Sequence, residues 1–153
     1  MAQKGLWDYV FVGIQLLLLA IYAWHGDQAS LQWHLPGQIG GWMLGGMGFL
    51  LILWAAWQIR RKVTMFPTPM EGAGLMRTGA FRLIRHPIYS GILLMAFGGA
   101  WASADGWRFI ITGALYLLFY FKSNYEEQRL MAVFPEYREY MQHTGKFIPT
   151  KFR

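Results

Sequence analysis

The chain has 153 residues, of which 55% are hydrophobic, 18% aromatic and only 14% charged, a balance too apolar for an ordinary water-soluble domain of this length. It contains no cysteine, which excludes disulfides, thiolate metal sites and a cysteine nucleophile. The net charge of +6 invites a nucleic-acid reading, but the basic residues follow the ends of apolar runs and form no basic domain, so topology and attraction to anionic lipid head groups account for them and no nucleic-acid partner is expected.

In chain order, Leu6 to Trp24 is apolar apart from Asp8 near its start and Gln15 at its middle, and Ile39 to Trp57 carries no charge. Each run is long enough to cross a hydrocarbon core of about 30 Å as a helix. The first is too long for the apolar core of a signal peptide, and His25-Gly26-Asp27 after it lacks a small-residue cleavage pattern. Gly40-Gly41, Gly45-Gly46 and Gly48 follow no strand and lie inside an apolar helix, so they are no nucleotide-binding loop. Gly41 and Gly45, four apart, instead allow another helix to come close.

Val63 to Arg85 holds Pro67, Pro69, Gly72, Gly74 and Gly79, which predicts an ordered loop and no helix. Ile88 to Ala104 is apolar again, Ser103-Ala104-Asp105-Gly106 reads as a tight turn, and Trp107 to Phe121 is apolar. These two arms form a helical hairpin whose second arm continues as a polar helix past Tyr125. The expected fold is an all-α, polytopic integral membrane protein in one domain, 1–153. It has four membrane helices at about 6–24, 39–59, 88–104 and 107–123, the last two forming the hairpin. A cytoplasmic motif segment, 63–87, and a cytoplasmic tail, 124–153, with a C-terminal helix complete it.

Lys and Arg set the orientation. The 25–38 loop has none, whereas Arg60, Arg61, Lys62, Arg77, Arg82 and Arg85 crowd the 60–87 segment, and Lys122, Arg129, Arg138, Lys146, Lys151 and Arg153 follow the last span. The positive-inside rule places both termini and both polar regions in the cytoplasm. Trp24, Trp33, Trp42, Trp57, Trp101 and Trp107 lie near predicted span ends, as an interfacial aromatic belt requires. His25 and His34 flank the far loop while His86 and His143 lie on the cytoplasmic side, so neither a transmembrane haem nor a zinc pattern is expected.

Two polar clusters at span ends carry the chemistry: Arg85-His86-Pro87-Ile88-Tyr89-Ser90-Gly91 and Glu126-Glu127. Charge near hydrocarbon is costly without a partner or a ligand, so two clusters on one side of the bilayer imply a polar site. A purely structural account has Arg85 snorkelling to head groups, Pro87 starting a helix and the two glutamates opening a solvated helix. It leaves His86 and Tyr89 without a reason.

Taken together, Gly79, Phe81, Arg85-His86-Pro87, Tyr89 and Gly91, an apolar hairpin, Glu126-Glu127, then Phe134, Tyr137, Tyr140 and Pro149 resemble the isoprenylcysteine carboxyl methyltransferase family, to which the phospholipid N-methyltransferases are related. The match covers roughly residues 74–150, and the short N-terminal half is similar to that of minimal bacterial members. The chain departs from the family pattern at Ala80, at Phe134-Pro135 and at His143-Thr144-Gly145. The resemblance implies S-adenosylmethionine as methyl donor, S-adenosylhomocysteine as product, no metal, and a place in a bacterial inner membrane. It implies cofactor-binding roles for Gly79, Phe81, Arg85, His86, Pro87, Tyr89, Gly91 and Glu126, and catalytic roles for Lys122 and Glu127. The acceptor it implies is lipophilic: an isoprenylcysteine-like carboxylate, a lipid amine or a thiol, met among membrane lipids.

These residue types suit that cofactor. Arg85 and His86 can hold a carboxylate through charge-assisted bonds, and Glu126 or Glu127 can accept from its ammonium or ribose hydroxyls. Tyr89 and the hairpin aromatics offer faces for adenine and for a sulfonium. Gly91 removes a side chain where a helix comes close to a ligand. Lys122 either steadies an anionic acceptor or snorkels to head groups. A hairpin returns the chain to the side it left, so 79–91 and 122–129 are expected to meet, with Phe134 to Pro149 covering them and a second opening sideways to the bilayer. The residues alone also fit a non-enzymatic membrane protein that binds a lipid or a partner helix, and binding of S-adenosylmethionine separates the two. Reporter fusions at Ala29 and at the C-terminus should report opposite sides of the membrane; the same side at both would overturn the hairpin.

Overall fold

A computed structural model describes residues 5–24, 35–62 and 75–149, which form six helices: α1 (Leu6–Trp24), α2 (Leu35–Lys62), α3 (Ala80–Leu83), α4 (Pro87–Ser103), α5 (Gly106–Val133) and α6 (Tyr137–His143). Residues 25–34 of the predicted far-side loop, Trp33 among them, lie outside the described residues, as do Pro67, Pro69, Gly72 and Gly74, whereas the last residues of that loop, 35–38, are already helical in α2. Leu6–Trp24 and Pro36–Arg60 are long and apolar enough to cross a membrane. The 17-residue α4 is shorter, about 26 Å at the helical rise, and the 28-residue α5 turns polar beyond Lys122.

The turn between α4 and α5 has a clear local cause. Ala104 takes a left-handed conformation (φ 51°), which ends α4, and the Asp105 side chain then accepts from Trp107 N at 2.9 Å to cap α5. At the other end of α4, Pro87 occupies the first turn, where its missing N–H would have had no helical partner.

The segment expected to be all loop contains one helical turn. Beyond Gly79, the run Ala80-Phe81-Arg82-Leu83 has no breaker, and it coils once as α3. Gly79 (φ 62°) makes the preceding turn with the Gln58 side chain of α2 packed where a Cβ would project, and Gln58 Oε1 accepts from Ala80 N at 3.1 Å. Only glycine fits that position.

α4 packs most extensively against α2, through glycine-mediated backbone contact. A Cβ at Gly41 would meet Ala102 N at 2.5 Å and Gly98 O at 2.7 Å; one at Gly98 would meet Gly45 N at 2.5 Å; one at Gly48 would meet Gly91 O at 2.5 Å. The close approach expected of Gly41 thus occurs, with α4 as the partner; Gly45 contributes its backbone to the contact, but a Cβ there would meet nothing within 4 Å. On its other side α4 meets α5 and α1 around Ala96, Ile111, Leu115 and Phe119, with Leu18, Leu19 and Tyr22 of α1 packed against them. Tyr22 OH donates to Ala96 O at 2.6 Å.

The apolar surface left over is large. α1 buries no residue completely, and Leu16, Leu17, Trp42, Leu50, Trp101, Trp107 and Leu117 are all exposed. Such a surface suits hydrocarbon and would be an aggregation liability in water. The α2–α4 contact leaves no room for side chains. Gly48→Val and Gly98→Val should each therefore lower stability in detergent by about 1–3 kcal/mol, the usual scale of overpacking. Gly46→Ala, whose Cβ would meet nothing within 4 Å, should melt with the wild type.

Candidate functional site

The start of α4 and the polar half of α5 converge. Ile84 is extended, and a strap at 144–147 runs parallel beside it and the two residues that follow. Ile84 and Gly145 form the bridge, Arg85 N donates to Gly145 O at 2.8 Å, and His86 N donates to Lys146 O at 3.1 Å. Ser90 OH adds a bond to Phe147 O at 2.8 Å. The Tyr140 hydroxyl of α6 donates to the Phe81 carbonyl, tying α6 to α3.

Inside this frame sits Glu127, 3% exposed. One of its oxygens, Oε1, takes Arg85 Nε at 2.9 Å and His86 Nε2 at 3.2 Å, and the other, Oε2, takes Lys146 Nζ at 3.0 Å. Arg85 NH1 also donates to Met141 O at 3.1 Å and to the Thr144 carbonyl. Lys146 reaches the Asn124 side chain as well and lies over the Tyr120 ring. Burial works against the charged form of Glu127, yet the bonds from His86, Arg85 and Lys146 outweigh it and hold the carboxyl down at about 2.

Glu126 is more open, its side chain 20% exposed. Its Oε1 accepts from Tyr89 OH at 2.6 Å, and its Oε2 is 3.6 Å from His86 Nδ1. His86 therefore stands between two carboxylates. The Tyr89 ring is sandwiched, stacked on His86 (centroids 5.4 Å apart) and on Phe119 (4.7 Å), with Lys122 Nζ 5.0 Å from its centre. Burial pushes the Tyr140 hydroxyl nearby up to about 12 and raises that of Tyr137 as well, so both remain donors.

Of the residues singled out in the sequence, Arg85, His86, Tyr89, Glu126 and Glu127 meet in one cluster, with Lys122 on its α1 side. Pro87 is fully buried beneath it as the first residue of α4. Gly79 and Phe81 lie apart from the acidic pair and hold backbone to α2 and α6. At Gly91, a Cβ would meet Ile52 of α2 at 2.5 Å and the Gly48 carbonyl at 2.7 Å, so its bareness admits α2.

Sequence reading missed Lys146, Asn124, Phe119 and Gln15 as members of this neighbourhood. Lys146 carried no signal beyond its place in a basic tail. Gln15 did carry one, as a polar residue in mid-run. Its Oε1 accepts from Lys122 Nζ at 3.0 Å.

An apolar groove of about 620 Å³ lies beside the strap, between α4 (Leu93, Leu94, Phe97) and α5 (Phe109, Gly113, Tyr116), under Phe147, Ile148 and Pro149.

Residues 37–136 match the family model described as phospholipid methyltransferase. The matched stretch takes in almost all of α2, the Arg85–Gly91 motif and the acidic pair, and excludes α1 and the strap. No curated protein and no solved structure matches the chain.

The depressed Glu127 carboxyl fixes a pH dependence. Because the folded value lies below the ordinary 4.5, the stabilisation is complete above about 4.5 and is lost as pH falls toward about 2. Thermal unfolding followed across that window should show the fall. Glu127→Gln should flatten it and cost about 3–5 kcal/mol at neutral pH, the scale of breaking a buried ion pair.

Proposed function

The chain belongs to the phospholipid methyltransferase family, whose members are integral membrane enzymes that use S-adenosylmethionine, and we propose that the Arg85–Glu127 cluster is its cofactor site and faces the cytoplasm. The observation that carries this reading is His86 held between Glu126 and Glu127, with Tyr89 bonded to Glu126. The donor set fits the cofactor's aminoacyl end: carboxylate oxygens for an ammonium or hydroxyls, and an imidazole for a carboxylate.

Within the cluster the division of labour follows from who is already paired. Glu127 is saturated by Arg85, His86 and Lys146, so it is a positioning carboxylate that fixes His86 and the strap. Arg85 has the same role, since it is committed to Glu127 and to two strap-side carbonyls. Glu126, the more open carboxylate, is the group best placed to touch the cofactor, with His86 Nδ1 and the Tyr89 hydroxyl beside it and the Tyr89 ring held between His86 and Phe119. Pro87 sets where α4 begins, Gly79 and Phe81 hold the approach to it, and Gly91 lets α2 close against α4. The cofactor, when bound, supplies an electrophilic methyl; the chain's task is to keep that methyl and a nucleophile in line and to exclude water.

The acceptor is of lipid type, and its nucleophile is a nitrogen, oxygen or sulfur met from the bilayer. The groove between α4 and α5 supports lodging a hydrocarbon chain there, beside the strap that covers His86. The four-span topology completes the reading, with the hairpin α4 and the apolar first half of α5 embedded alongside α1 and α2.

Titrating S-adenosylmethionine into detergent-purified protein tests the site. His86→Ala and Glu126→Ala should each weaken binding by about 1–3 kcal/mol, the scale of losing a partner for a charged group. Arg138→Gln, at an exposed position of α6, should bind as the wild type does. Deleting residues from Gly145 onward removes Lys146 and the strap, and should lower affinity while the spans stay folded. Unchanged affinity in both alanine variants would remove the assignment.

A further inference from the structure

The groove between α4 and α5 is built from two facing stripes. On α4, Ser90, Leu93, Leu94 and Phe97 are spaced as one face of a helix, and on α5 Phe109, Thr112, Gly113 and Tyr116 repeat that spacing in the opposite direction. Phe97 and Phe109 meet edge to face at one end, with centroids 5.5 Å apart, and Ser90 and Tyr116 both meet Phe147 at the other. Both hydroxyls on the walls are turned to backbone: Thr112 donates to Arg108 O and Ser90 to Phe147 O, each at 2.8 Å, which leaves hydrocarbon lining the space. Gly113 widens it. A Cβ there would meet nothing within 4 Å and its φ is not positive, so neither helix packing nor backbone conformation calls for glycine. Exposed Phe97 and Tyr116 leave the groove open sideways.

Phe147 closes the end nearest the Arg85–Glu127 cluster. Its ring lies 5.9 Å from that of Tyr116 on the groove side and 6.1 Å from that of His86 on the cluster side, centroid to centroid. The backbone beneath it is pinned. In order, the carbonyls of Thr144, Gly145, Lys146 and Phe147 accept from the Arg85 guanidinium, Arg85 N, His86 N and the Ser90 hydroxyl. What is left to move is the side chain, by rotation between staggered positions. A tail that merely docks on a membrane surface turns its apolar side chains outward, as Ile148 does at 72% exposed. Phe147 is instead half-buried and packed against the core around Leu115 and Phe119.

Methyl transfer requires donor and nucleophile in line at roughly 3–3.5 Å, and a ring standing between His86 and the groove keeps a groove-borne acceptor out of that reach. We infer that Phe147 is a positioning residue, the partition between the cofactor cluster and the groove. Its ring shuts the cluster from the bilayer and turns aside for an acceptor that enters along the groove. This role rests on the reading of the cluster as the cofactor site and of the groove as the acceptor's path.

The experiment uses the full chain in dodecyl maltoside micelles containing a trace of the same detergent with a diazirine at the end of its alkyl chain. After irradiation without cofactor, the labelled residues are mapped by mass spectrometry. Wild-type protein should take label along the groove stripes of α4 and α5, and little at Glu126 or Tyr89. Phe147→Ala should raise labelling of Glu126 several-fold, and Phe147→Tyr, which keeps the ring, should restore the wild-type pattern. Phe147→Leu should fall between them, and it carries the test if the alanine variant does not fold. Ile148→Ala, at the neighbouring strap position, should label as wild type does. The partition is overturned if Glu126 is labelled as strongly in wild type as in Phe147→Ala, if it stays unlabelled in both the alanine and leucine variants, or if the groove takes no label. An equal gain in Ile148→Ala marks general loosening of the strap and overturns it too. Adding S-adenosylmethionine to Phe147→Ala tests the cofactor reading separately: protection of Glu126 supports that reading, and absence of protection strikes it while the labelling pattern still judges the partition.

Discussion

A carboxylate buried beside a membrane must be neutralised, and Glu127 is neutralised by three donors from two separate segments. Arg85 and His86 come from the residues leading into α4, and Lys146 comes from the strap beyond α6. Removing the carboxylate itself leaves Arg85, His86 and Lys146 crowded without their common partner, which is far more costly than the net worth of any one bond. The strap's backbone pairing with 84–86, the placement of His86 and the direction of Glu126 all follow from satisfying this one group.

The second constraint is steric and lies on the opposite face of α4. Gly41 and Gly48 of α2 and Gly91 and Gly98 of α4 face one another at distances that exclude a methyl group. Between lipid-exposed helices there is little hydrophobic drive to associate, so close backbone packing takes its place. The contact sets where α4 lies, and the Gly79–Gln58 contact sets where the chain enters it. A rigid α2–α4 pair thus carries the His86-Tyr89 face, and α5 presents the acidic pair to it. α1 joins from outside the family-matched stretch, through Tyr22 on Ala96, Gln15 on Lys122 and Asp8 on Arg129 at 3.0 Å.

Several elements were legible because their causes are local. An uncharged run states its own environment, a Pro at the first turn states where a helix begins, and Ser103-Ala104-Asp105-Gly106 states where the chain turns back. The motif around His86 and the pair Glu126-Glu127 stood out because ionisable residues are few in such a chain. The helical turn of α3 was not legible, since the prolines and glycines before it dominate the segment's composition, although Ala80 to Leu83 contain no breaker.

What the sequence determined by itself is the membrane class, the helical hairpin and the residue types gathered at its open end, because apolar length, turn chemistry and charge placement act over a few neighbouring residues. What only the tertiary structure decided is the pairing. Glu126 and Glu127 are adjacent and chemically identical, yet one is saturated by Arg85, His86 and Lys146 while the other stays accessible beside Tyr89. Lys146 and Gln15 likewise acquired roles only when folding brought them against residues 19 and 107 positions away, at Glu127 and Lys122. Side-chain identity fixes what a group can bind, but which partner reaches it first is a property of the packed chain.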